Sequence, residues 1–174
     1  MKTFPYILSL LAVLSISGGA SEPAKPRTAA TFPSPDGKFV AEVIQLPKMQ
    51  NGGVEDRVEV RSAEGKTMGS HSYSSTDRQH GFGIRNGAWT PDSKFFVYQL
   101  ASSGGHQPWH NPIDFVSTEG FKIRSLDDAT GPITGPDFKV LSPDVVSGSA
   151  GSKKDPTAKK PFSVKLSAIM KNGP

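Results

Sequence analysis

Trp89-Thr90-Pro91-Asp92-Ser93-Lys94-Phe95 stands mid-chain, and Ser34-Pro35-Asp36-Gly37-Lys38-Phe39 stands near the start. Each places a hydroxyl residue, a proline and an aspartate directly before a run rich in β-branched and aromatic residues. The proline fixes φ near about −65°. The aspartate accepts hydrogen bonds from nearby backbone amides, and Gly37 can take a left-handed conformation without a Cβ clash. Such a corner joins two antiparallel strands and sets their register. Ser93 holds the glycine's place in the second copy, where left-handed geometry strains a side chain, so that corner is expected to differ. A third echo, Ser142-Pro143-Asp144, is read with no strand directly behind it.

Around these corners the chain reads as strands. Phe39 to Leu46 is the first. Asp56 to Arg61 alternates, with Val58 and Val60 on one face and Arg57, Glu59 and Arg61 on the other, and Ala63 to Lys66 follows as a hairpin turn. Phe95 to Leu100 is apolar on both faces, which predicts an inner strand. Ile113 to Ser117 and Phe121 to Leu126 flank a Thr118-Glu119-Gly120 hairpin, and Ser163 to Ile169 is the last candidate strand. No apolar period of 3.6 residues is sustained after residue 20, so helices are not expected. The fold class is all-β and antiparallel.

The run Trp89 to Lys94, an apolar strand, then Ile113-Asp114-Phe115-Val116 and a glycine hairpin resembles one blade of the TolB-type (WD40-like) β-propeller repeat. The pattern there is W-S-P-D-G-K, strand, loop, D-I-Y-V, turn, strand. The first unit is similar but weaker, with Phe32 near the Trp position and Arg57 to Val60 at the D-I-Y-V position. The resemblance covers residues 32 to about 130 and implies four-stranded blades used for protein contact. Propellers close with four or more blades. Two blade-like sheets in residues 32–169 therefore imply either a face-to-face, sandwich-like body or an incomplete propeller completed as a homo-oligomer. The sandwich is the expected form.

The chain has 174 residues, 35% apolar, with 18 Gly and 15 Pro, a formal charge of +4 and no Cys. These values exclude a collagen, a coiled coil, a disulfide scaffold and a cysteine nucleophile. At the N-terminus Lys2 precedes the apolar run Phe4 to Ile16 and the small residues Ser17 to Ala20. This is the layout of a signal peptide over residues 1–20, cleaved near Ala20. The run is too short for a permanent span of a hydrocarbon core about 30 Å thick. The mature protein is thus expected in the periplasm or outside the cell. Residues 21–31 read as a flexible leader, 147–161 (SGSAGSKKDPTAKKP) as a mobile loop, and 170–174 as a tail.

Chemistry-bearing residues gather between the inner strand and the next one. In the 102–114 loop, His106, Gln107, Trp109, His110, Asn111 and Asp114 form the candidate ligand-binding set, since a long loop between strands usually has a function. His106, His110 and Asp114 are also the candidate ligands of a divalent metal such as zinc, in a metal-binding protein or metal-dependent hydrolase. Pro108 and Pro112 remove the helical meaning of the His spacing. Trp109 offers a flat apolar face for a sugar ring. A triad of Asp77, His80 and Ser74 or Ser75 is conceivable, but no G-x-S-x-G elbow supports it, so no catalytic residue is assigned. Asp127-Asp128 reads as a turn. The lysines of 147–161 have no interleaved aromatic residues, which argues against nucleic acid. The expected role is an exported, non-enzymatic binding or scaffold protein without a cofactor, contacting a protein or cell-envelope component through the 102–114 loop.

Overall fold

Alternation along one strand organises the molecule. Successive side chains of Phe95–Ser102 point to opposite faces. Phe95 and Val97 enter one apolar cluster, and Phe96, Tyr98 and Leu100 enter another. The strand is buried on both sides, as its continuous apolar run requires. The computed structural model describes residues 25–48, 53–105, 108–152, 154–155 and 158–172. Within them the chain forms eleven strands and two short helices.

The first sheet is a meander of β1 (Arg27–Pro33), β2 (Phe39–Gln45), β3 (Asp56–Ser62) and β4 (Thr67–Ser72). The second repeats it with β5 (Phe82–Trp89), β6 (Phe95–Ser102), β7 (Ile113–Ser117) and β8 (Ile123–Ser125). After a short helix, α1 (Asp127–Thr130), come β9 (Lys139–Leu141), β10 (Val145–Ala150) and β11 (Lys160–Lys165) in the order β11-β10-β9. Helix α2 (Leu166–Asn172) closes the described chain. Every strand pair is antiparallel. The all-β antiparallel class is as expected, but there are three sheets rather than two, with the second in the middle.

One core lies between the first and second sheets. Ala41, Val58 and Val60 meet Phe96, Tyr98, Leu100 and Val116 there, with Phe32 and Phe39 packed alongside. A Cβ on Gly87 would fall 2.5 Å from Phe96, so that glycine makes room for the Phe32–Phe96 ring pair. The other core lies between the second and third sheets, where Phe95, Val97, Ile113 and Phe115 meet Val146, Ala150 and Leu166. The solvent face of the first sheet is ionic. Arg61 lies 2.7 Å from Glu59 and 3.5 Å from Glu42, and Arg57 lies 3.6 Å from Glu59.

Several boundaries differ from the sequence reading. The stretch 21–31 is not wholly a leader, because β1 occupies Arg27–Pro33 and pairs with β2. Only Phe32 is large and apolar there; its contact with Phe96 and the backbone ladder hold an edge strand that lacks an apolar period. The stretch 147–161 is not simply a mobile loop, since β10 runs to Ala150 and β11 begins at Lys160. Its small residues serve packing: a Cβ on Gly148 would press on the Phe162 ring at 3.0 Å. A strand does follow the third corner, because β10 starts at Val145 immediately after Asp144. The expected strand Ser163 to Ile169 ends at Lys165 and becomes α2, which also takes up part of the 170–174 tail. Asp144 drives that change by accepting the Leu166 amide on its carbonyl and the Ser167 amide on its carboxylate, 2.9 Å each. Leu166, Ile169 and Met170 then face the second core at helical spacing. Asp127-Asp128 opens α1 instead of forming a simple turn. The signal segment and Ala20 lie outside the described residues.

Candidate functional site

The 102–114 segment leaves the end of β6 and returns as β7. Its root is fixed by the neighbouring 75–81 turn. Ser103 donates its amide to Gly81 O at 2.9 Å and its hydroxyl to Gln79 O at 2.9 Å, and it lies within 3.2 Å of Glu55 Oε1. Glu55 is the hub. The carboxylate is 2% exposed, accepts the Gly81 amide at 2.8 Å and the Ser75 hydroxyl at 2.7 Å, and meets Arg78 at 3.2 Å. Burial raises its pKa, yet the hydroxyl and amide donors more than offset this and leave it below the ordinary value.

The conceivable triad resolves into turn chemistry. Ser75 Oγ lies 2.7 Å from Glu55 Oε1 and 2.8 Å from Asp77 Oδ1, which share its one proton, and it accepts the amides of Gln79 and His80. Asp77 also pairs with His80 Nδ1. The Ser75 hydroxyl thus joins the carboxylates and backbone amides that shape this turn.

His106 and Gln107 lie outside the described residues. Trp109 and His110 are half-buried neighbours with ring centroids 5.5 Å apart. Asn111 is 7% exposed and structural: its amide bonds Ile133 O at 2.8 Å and its side chain bonds Trp109 O at 3.3 Å. His110 Nε2 meets Asp127 Oδ2 at 2.5 Å. Asp114 goes elsewhere. It faces the first core, and its Oδ2 accepts the Tyr73 hydroxyl at 2.6 Å, with Tyr73 in turn 2.8 Å from Tyr98 Oη. Of the described members of the proposed metal set, His110 bonds Asp127 while Asp114 bonds Tyr73. Among the described residues no group of three or more His, Asp or Glu side chains is placed to hold a metal ion. Burial pushes both Asp114 and Asp127 up, against the hydrogen bonds from Tyr73 and His110 respectively. The two tyrosines are pushed up by burial as well.

Three site residues were not expected from the sequence. Asp127 is one. Arg85 is another: the β5–β6 register shifts between Ile84 and Asn86, so Arg85 is the extra residue of a bulge. Bulges re-aim side chains, and Arg85 Nη1 reaches Asn111 Oδ1 at 3.3 Å. The third is Asp56, which shares the inward face of β3 with Val58 and Val60, so a carboxylate on an apolar face was its legible signal. Asp56 Oδ2 accepts the Ile84 amide at 2.6 Å, while Oδ1 is buried without a partner among the described residues, and burial raises its pKa. Asp56, Arg85, Ser102 and Ser103 line a cleft of about 390 Å³ at the root of the loop.

These features define an all-β protein of stacked antiparallel sheets with a polar cleft and an aromatic-bearing loop at one end of its central sheet. No protein-family model matches the chain, and neither does any curated protein with which it was compared. Among the described residues no helix is long and apolar enough to cross a membrane.

Proposed function

We propose that this chain is an exported, non-enzymatic binding protein built from propeller-type blades, and that the 102–114 loop with the cleft at its root receives a protein or other cell-envelope ligand. The reading of export rests on the N-terminal pattern alone. The blade reading is supported by the three Pro-Asp corners, each of which joins two adjacent antiparallel strands of one sheet. The binding reading is carried by one observation. Arg85 is displaced from its ladder by a bulge and ties the cleft to Asn111, which in turn holds the backbone of Trp109. A half-exposed tryptophan on a fixed frame gives large contact area at low ordering cost. Asp56, with an unmet buried oxygen, prefers a ligand that brings a hydrogen-bond donor.

The test is capture from envelope extract by the immobilised chain and by Trp109→Ala and Arg85→Ala variants, followed by affinity measurement on each captured partner. Truncating a central aromatic anchor costs about 2 kcal/mol, a loss of roughly thirtyfold. Partners recovered equally by wild type and both variants remove the loop from the reading.

A further inference from the structure

We propose that a second site, a cleft of about 600 Å³ between helix α2 and the β7–β8 turn, binds an anionic amphiphile with a single alkyl chain and a phosphate or carboxylate head. Phe95 stands at the opposite end of β6 from Ser102, so this cleft lies a strand's length from the Trp109 loop. The lining includes Lys94, Lys122, Lys171, Phe95, Met170 and one acidic residue, Glu119.

Three observations carry the assignment. The first is pairing. Lys38, Arg57, Arg61 and Arg78 each meet a carboxylate within 4 Å, while lysines unpaired among the described residues, such as Lys139 and Lys165, line no common cleft with one another. Among the described residues Lys94, Lys122 and Lys171 meet no such carboxylate, although they converge on one concavity with Glu119 beside them. Three like charges around a cleft create a local positive potential that an anion relieves.

The second is the floor. Phe95, 5% exposed, belongs to the core between the second and third sheets, and Met170 packs against that core, so the apolar part of the floor is Met170 with the edge of Phe95. An alkyl chain laid there gains about 0.8 kcal/mol per buried methylene. A head group alone would leave this surface unused. The volume is within the range of about 300–1,000 Å³ typical of small-ligand sites.

The third is the frame. Thr118 donates both its amide (2.9 Å) and its hydroxyl (3.2 Å) to Lys94 O, which locks the β7–β8 turn onto the second corner. Ser117 N bonds Lys122 O at 2.9 Å. Asp144 fixes the start of α2 and thereby the positions of Met170 and Lys171. The three lysines are carried by separate elements, each anchored by these bonds.

The experiment is calorimetric titration of the purified chain with dodecyl phosphate below its micellar concentration, with inorganic phosphate, and with phosphatidylglycerol vesicles. Dodecyl phosphate should bind saturably, and inorganic phosphate at least tenfold more weakly. The Lys122→Gln/Lys171→Gln double variant should lose roughly tenfold, with unfolding midpoint unchanged because both side chains are exposed. A Lys139→Gln/Lys165→Gln variant on the third sheet should bind as wild type. Equal affinity for inorganic and dodecyl phosphate overturns the proposal, as does equal weakening by both double variants. Binding to vesicles without binding to soluble dodecyl phosphate also overturns it, since that describes a charged surface and not a cleft.

Discussion

The corner at Ser34–Phe39 and the corner at Thr90–Phe95 make the same hydrogen bonds. The hydroxyl donates to the aspartate at 2.7 Å in both, the lysine amide reaches the same carboxylate at 3.1 and 3.2 Å, and the aromatic residue's amide returns to the hydroxyl at 3.0 and 3.1 Å. Yet one has Gly37 at φ 71° and the other Ser93 at φ 59°. A serine in the glycine's place predicts a different turn, yet the second corner keeps the hydrogen bonds of the first. A left-handed serine costs about 1–2 kcal/mol. It is offset locally, because Ser93 is 3% exposed and its Oγ accepts the Asp36 amide at 3.1 Å. The corner's shape is thus set by the hydrogen bonds of its hydroxyl residue and aspartate, and the serine spends its strain tying the second corner to the first. The third corner uses its aspartate differently: Asp144 holds the start of α2.

The largest effect expected from breaking this equivalence is at the hydroxyl. Thr90 is fully buried, so Thr90→Val keeps the shape but leaves the Phe95 amide without its side-chain partner and Asp92 with only the Lys94 amide as donor. Orphaning a buried group costs about 1–3 kcal/mol. Ser34→Ala should cost less, near 1 kcal/mol, because the Asp36 side chain is 35% exposed and water replaces the lost donor. Urea unfolding of both variants checks the ranking; equal costs would mean that burial does not separate the corners.

Gly37→Ala comes next. Nothing lies within 4 Å of the added Cβ, so the cost is torsional alone, about 1 kcal/mol. Ser93 then gives the sharper pair. Ser93→Ala keeps the strain and loses the bond to Asp36, which predicts a loss of about 1 kcal/mol. Ser93→Gly loses the bond but relieves the strain, so its midpoint should stay within about 0.5 kcal/mol of wild type. If Ser93→Gly is as unstable as Ser93→Ala, the offset described above is wrong.

What could be read beforehand follows from which interactions are local. The corners, the inner strand and the hairpin at Ala63–Lys66 announce themselves because proline, aspartate and glycine act on their own neighbours. β1 and β10 do not, since Ala30, Ser147 and Gly148 become strand only through partners far along the chain. Helix α2 depends on Asp144, which is distant in sequence from the amides it holds. The site was legible where residue types crowd, at Trp109 and His110. It was not legible at Arg85, whose position depends on a register shift, nor in the pairing of His110 with Asp127 rather than with Asp114.

The smallest effect separates the corners by pH. Ser34's hydroxyl first, then the Lys38 amide and ammonium and Ser93, hold the Asp36 carboxyl below its ordinary value. A depressed folded pKa contributes stability above the unfolded value, near 3.8 here, and that contribution is lost as pH falls through the folded one. Asp36→Asn keeps an acceptor oxygen but removes the charge. Its midpoint should therefore lie slightly below wild type at neutral pH, and the two should converge in acid. The carboxylate is exposed, so screening keeps the gap small, and added salt should narrow it further. Thermal unfolding at neutral and acid pH reads the convergence directly. A gap that widens in acid would show that Asp36 is held in its protonated form, and the carboxylate would lose its role in shaping the first corner.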